Sequence, residues 1–154
     1  MVFFTDSWRP SSFYDRLAEN ASLGLHSLIL LDIKVKEPDM VALARTGRTV
    51  YEPPRYMSVA TCARQMVETE EERRKGICAK LRLAVGVARV GSIGQVVKAG
   101  TLEELSEVDL GEPLHSLVLL GSRTYDLERQ FLKEFAVNPE TFDKAWEAGG
   151  YASS

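Results

Sequence analysis

The sequence predicts an α/β fold, a mixed β-sheet of four to five strands flanked by helices. Short apolar runs at 25–35, 83–90, 95–100 and 114–121 are rich in Leu, Ile and Val and bounded by turn residues, as strands are. Between them lie segments whose apolar residues recur every three or four positions, as on an amphipathic helix. The chain has 154 residues, 45% hydrophobic and 27% charged. That size suits one domain, which buries roughly 70% of the surface its unfolded form exposes.

The elements follow in order. Ser12 caps a helix carrying Phe13, Leu17 and Ala21 at a spacing of four, with Asp15 near its positive end and Gly24 as left-handed terminator. LHSLILLDIKV (25–35) has a core too apolar to alternate, the pattern of a strand covered on both faces. Glu37-Pro38 ends it. Residues 39–56 are mixed: a short apolar patch (Met40, Val41, Leu43), then Thr46-Gly47-Arg48, then the stiff turn Glu52-Pro53-Pro54-Arg55. Ser58 caps a helix through about Arg74 with Val59, Ala63, Met66 and Val67 on one face. LAVGVARV (83–90) is turned back by Gly91-Ser92-Ile93-Gly94 into QVVKAG (95–100), a hairpin. Thr101-Leu102-Glu103-Glu104 opens a short helix, and LHSLVLLG (114–121) is a second buried strand. Thr124 starts a helix with Leu127, Phe131 and Phe135 in line, and Asn138-Pro139 caps another carrying Phe142, Ala145 and Trp146. Gly149-Gly150 ends that helix, so the domain spans 1–148 and 149–154 is a frayed tail. The heptamer LHSLILL (25–31) recurs as LHSLVLL (114–120). The flanks share nothing, so the recurrence reads as convergence of two apolar strands rather than duplication.

Composition and motifs narrow the chemistry. A net charge of −3 gives no basic excess to drive counterion release, which argues against nucleic-acid or anionic-membrane binding. No apolar run approaches the ~20 residues of a transmembrane helix. MVFFTDSWRP carries Asp6 and no basic segment, so it is not a secretory signal; it reads as though the chain opened inside a strand or linker. Cys62 and Cys78 are too few for a disulfide framework or a four-thiolate zinc site, and a reducing, cytosolic setting is the simplest reading. GxSxG, HExxH, GxxxxGK[ST] and GxGxxG are absent. Cys62, on an apolar helix face, reads as a packing residue. His115, at a strand entrance, reads either as a satisfied structural histidine or as a neighbour of a ligand crevice. In YEPPRYMS (51–58) two prolines stiffen a turn from which Glu52, Arg55 and Tyr56 project, either a rigid connector or a recognition loop for a carboxylate or protein surface. Lys34 and Lys36 alternate along one strand face, a solvated edge or part of the same loop surface.

Six stretches go further: VFFTDSWRPSSFYD (2–15), LHSLILLDIKVKEP (25–38), YEPPRYMSV (51–59), LAVGVARVG (83–91), AGTLEEL (99–105) and VDLGEPLHSLVLLG (108–121). In this order they resemble the diphthine synthase family of the tetrapyrrole methylase fold, in phrasing closer to eukaryotic than archaeal members. The resemblance covers most of 2–135 and only that family's C-terminal half. GLGLGD-like and GDPFGATTH-like loops of the donor site are not in this sequence. The chain is therefore expected to be a C-terminal piece, its N-terminal domain absent. The resemblance implies S-adenosylmethionine as methyl donor, with Leu31, Val90 and His115 contacting it and no metal. It implies the modified histidine of elongation factor 2 as acceptor in diphthamide biosynthesis, with Arg55, Tyr56 and Lys34 as substrate-binding candidates. A cytoplasmic homodimer, with no nucleic acid or membrane partner, is implied as well. GICAKLR (76–82) and Ser92-Ile93-Gly94 depart from the family pattern beside Val90. The alternative is a non-catalytic dimerisation or interaction module that keeps the methylase fold.

Overall fold

The computed structural model describes residues 1–151. Four strands, β1 (Ser27–Leu30), β4 (Leu83–Ala88), β5 (Val96–Thr101) and β6 (His115–Leu119), form one sheet in the order β1-β6-β4-β5. Every pairing between them is antiparallel. Two short strands, β2 (Ile33–Lys34) and β3 (Arg55–Tyr56), make a separate ribbon. The helices are α1 (Ser12–Ser22), α2 (Met40–Thr46), α3 (Val59–Arg73), α4 (Leu102–Leu105), α5 (Asp126–Lys133) and α6 (Pro139–Ala148). This is the predicted α/β architecture of four strands flanked by helices, except that the sheet is antiparallel and not mixed.

The pleat of the sheet divides the core in two. Ile29, Ala84, Ala88, Leu117 and Leu119 point to one side, where Tyr14 and Leu17 of α1, Val59, Cys62, Ala63 and Met66 of α3, and Leu102 and Leu105 of α4 are buried. Leu83, Val85, Ala99 and Leu120 belong to the other, under Phe142, Ala145 and Trp146 of α6. Cys62 is a packing residue, as predicted, with no exposed surface. Gly86, in the middle of β4, lets α3 sit close. A Cβ there would lie 2.9 Å from Cγ1 of Val59, inside any ordinary contact.

Local chemistry builds the helix ends. The Ser58 hydroxyl accepts from the Thr61 N–H at the start of α3, and Thr101 and Glu104 form a reciprocal capping box on α4. At the far end of α3, the Glu70 carboxylate gathers three donors: the Tyr14 hydroxyl at 2.7 Å, the Cys78 N–H at 2.7 Å and the Gly76 N–H at 2.6 Å. Burial opposes its charge, but these hydrogen bonds outweigh it and hold the Glu70 pKa below its ordinary value. Tyr14, desolvated and bound to Glu70, is pushed up to about 12.

Several expectations are corrected. Ser12 is the first helical residue of α1 rather than its cap; Ser11 holds the cap position, and its hydroxyl accepts from Arg73 at 3.2 Å. The strand in 25–35 is covered on one face only: Leu28 and Leu30 are 64% and 69% exposed on β1, an edge strand of the sheet. The mixed stretch 39–56 contains α2, which the Asp39 carboxylate caps by accepting from the N–H groups of Val41 and Ala42. Thr124 lies before α5, buried, its hydroxyl donating to the Gly121 carbonyl at 2.7 Å, and Tyr125 is the cap residue. Leu127 and Phe131 on α5 are exposed. The tail assigned to 149–154 is not frayed at Tyr151, which is buried and stacked on Trp146 at 4.9 Å, its hydroxyl accepting from the Leu83 N–H at 3.0 Å. Positions 152–154 lie outside the described residues. Among the described residues, no helix is long and apolar enough to cross a membrane, and no three His, Cys, Asp or Glu side chains are grouped to hold a metal ion.

Candidate functional site

The two recurring heptamers are neighbours in space. β1 and β6 pair antiparallel with Ser27 opposite Leu119 and Leu30 opposite Ser116. The end of β1 thereby lies beside the start of β6, and a cleft of about 320 Å³ opens there. Leu31, Asp32 and Ile33 line it from one side, Leu114, His115 and Ser116 from another, and Tyr56 and Met57 close the third. Met57 is fixed by its N–H donating to the Asp32 carbonyl at 2.9 Å, and the Asp32 carboxylate accepts from the Phe3 N–H at 3.0 Å.

His115 has both ring nitrogens occupied. Nδ1 accepts from the N–H of Val59, the first residue of α3, at 3.3 Å. Nε2 lies 3.0 Å from the carbonyls of both Gly111 and Glu112, which can only accept. The partners therefore define a neutral ring protonated at Nε2. The His26 ring is held similarly at the opposite end of the β1–β6 pair, Nδ1 accepting from the Gly121 N–H at 3.0 Å and Nε2 facing Glu128 Oε1 at 3.5 Å.

The substrate candidates come together beside the cleft. β2 and β3 place Lys34 opposite Arg55 and Ile33 opposite Tyr56. Glu37 stands between the two cations, 3.0 Å from Lys34 Nζ and 3.8 Å from Arg55 Nη2, and the Arg55 guanidinium also lies over the Phe3 ring at 5.1 Å. Leu31, His115, Tyr56, Arg55 and Lys34 thus share one region. Val90 stands apart, 70% exposed in the turn after β4 and outside the cleft lining. Its neighbour Arg89 reaches the cleft loop instead. The Arg89 guanidinium donates to the carbonyls of Glu112, of Leu110 at 3.0 Å and of Gly94 at 2.9 Å, while its backbone N–H donates to the Leu114 carbonyl at 2.9 Å. Sequence reasoning passed over Arg89, whose only signal was a charge ending the apolar run LAVGVARV.

No family model matches the chain. A curated diphthine methyl ester synthase from Emericella nidulans is 60% identical over 154 residues, covering all of this chain and 54% of that protein. By sequence, the chain is similar to diphthine methyl ester synthases. It spans about half the length of the curated relatives it matches and corresponds to their C-terminal part. The fold agrees. A crystal structure from Entamoeba histolytica, provisionally assigned as a diphthine synthase, superimposes with a TM-score of 0.77 at 34% identity, covering 90% of this chain and 50% of that one. A second diphthine synthase crystal structure gives 0.64 at 27% identity, over 90% of this chain and 45% of the other.

Proposed function

We propose that the cleft between Leu31 and His115 receives the adenosyl part of S-adenosylmethionine, and that the chain supplies one half of a methyltransferase donor site. The observation that carries this is the juxtaposition of Leu31 and His115, two of the three positions the family resemblance marks for the donor, in one apolar-walled cleft. Its volume of about 320 Å³ lies at the low end of small-molecule sites, roughly 300–1,000 Å³, which suits part of a ligand rather than all of it. The donor supplies an activated methyl group. The chain's own residues do the rest by position. Leu31, Met57 and Leu114 present apolar walls that exclude water. His115 offers a ring face and a fixed loop; with both nitrogens occupied it is not a general base, and methyl displacement depends on alignment more than on proton transfer.

The acceptor in this reading is the modified histidine of elongation factor 2, in the cytoplasm. Lys34 and Arg55 hold a carboxylate already, that of Glu37, and a carboxylate on the acceptor takes its place beside Tyr56. The described domain, 1–151, acts as a homodimer. Exposed Leu28 and Leu30 on β1, with Leu127 and Phe131 on α5, favour association, and they equally favour the second reading, a non-catalytic interaction module.

The test is a titration of the isotopically labelled chain with S-adenosylmethionine, followed by NMR. Shift changes centred on Leu31, Met57, Leu114 and His115 are expected. His115→Ala is expected to weaken binding by about 1 kcal/mol, and His26→Ala to leave it unchanged. Changes centred elsewhere, or equal effects of the two variants, would overturn the assignment.

A further inference from the structure

Three alternate carbonyls of the loop before β6, those of Leu110, Glu112 and Leu114, accept hydrogen bonds from one residue, Arg89. The middle one, Glu112, is also an acceptor for His115 Nε2. Arg89 has no carboxylate partner among the described residues; its fork is spent on neutral carbonyls of this loop and on Gly94 of the β4–β5 turn. Its backbone lies in the left-handed region, φ 49°, uncommon for a residue with a side chain. That turn of the chain directs the side chain back across the β4–β6 pair to the loop. A guanidinium can do this because it carries five donors in a rigid plane; an ammonium is a single point that cannot reach both loops at once.

We propose that Arg89 is a positioning residue for the donor cleft: by fixing the Glu112 carbonyl, one of the two that face Nε2, it holds the orientation and tautomer of the His115 ring together with the Gly111 carbonyl and the Val59 N–H. The inference rests on the reading of the cleft as a donor site for its consequence, but its structural half stands without any ligand. It also gives the segment around Val90 a part in the site that Val90, pointing to solvent, does not play itself.

The experiment is 15N NMR of the imidazole rings in the full 154-residue chain, wild type and Arg89→Lys, without and with S-adenosylmethionine. In the wild type, His115 is expected to show two well-separated nitrogen resonances, Nδ1 bare and Nε2 protonated. In Arg89→Lys those resonances move towards each other as the tautomers mix, while His26, held by Gly121 at the other end of the β1–β6 pair, stays unchanged and reports an intact fold. Donor affinity falls about fivefold in the same variant, the effect of losing one ordinary hydrogen bond. Unchanged His115 resonances in Arg89→Lys overturn the proposal. If they mix as expected but neither protein binds donor, the positioning role stands and the donor reading falls. If the lysine variant unfolds, as disturbed His26 signals would reveal, Arg89→Gln and through-hydrogen-bond couplings from the wild-type guanidinium to the Leu110 and Glu112 carbonyls decide. Absent couplings refute the clamp.

Discussion

Replacing Glu70 by Gln tests how the exit of α3 is held. The carboxylate receives the Tyr14 hydroxyl and the N–H groups of Gly76 and Cys78 on two oxygens, all within 2.7 Å. An amide keeps one oxygen and turns the other position into a donor facing donors. At least one donor, the Gly76 N–H or one of the two partly buried ones, then loses its acceptor, at a cost of about 1–3 kcal/mol. We expect Glu70→Gln to be about 2 kcal/mol less stable than wild type at pH 7. The pH dependence carries a definite sign. Because the Glu70 pKa is depressed on folding, its contribution is fully present above the unfolded carboxyl value, about 4.3, and is lost as pH falls through the lower folded value. A protonated carboxyl, like an amide, keeps one carbonyl oxygen and places a donor at the other position, so the gap between the two proteins narrows in acid. Urea unfolding monitored by tryptophan fluorescence from pH 7 down to pH 3 measures both curves. A gap that stays constant across that range would refute the reasoning.

Three further outcomes are expected. The 154-residue chain alone shows no multiple turnover with labelled S-adenosylmethionine and unmethylated elongation factor 2, since it carries no Gly-rich donor loop; repeated turnover would exclude the half-site reading. Light scattering gives a dimer, and Leu28→Glu combined with Leu30→Glu gives a monomer; a dimer that survives both changes places the interface elsewhere. Tyr151→Ala removes a buried ring stacked on Trp146 and an acceptor for the Leu83 N–H, lowering stability by about 3 kcal/mol in thermal unfolding, whereas a truly frayed residue would cost nothing measurable.

Legibility in the sequence followed the range of each signal. α3 and α6 were readable because cap, apolar face and terminator all lie within one segment: Ser58 with Val59, Ala63 and Met66, and Asn138-Pro139 with Phe142, Ala145 and Trp146. The β4–β5 hairpin was readable for the same reason. β1 was misread because apolar residues declare a wish for cover, and nothing local says that Leu28 and Leu30 lack it. α2 was missed because its apolar residues are exposed and carry no periodic face to the core; only Asp39 and Gly47 marked it. The site divided similarly. Motif resemblance singled out Leu31 and His115, and in the structure both line one cleft. The reason His115 is held in one tautomer was not legible at all, because it depends on Val59, Gly111, Glu112 and Arg89, which meet only in three dimensions.

The bare Gly86 sets a tolerance for the whole cleft. Val59 is both the side chain that a Cβ at Gly86 would strike and the residue whose N–H reaches His115. Adding one methyl group would push Val59 out by about half an ångström before ordinary contact is restored. The Val59–His115 hydrogen bond, at 3.3 Å, already sits just beyond the usual span of roughly 2.7–3.2 Å. It has no slack to absorb that shift. The close approach of α3 to the strand and the anchoring of the His115 ring thus pass through one residue, Val59.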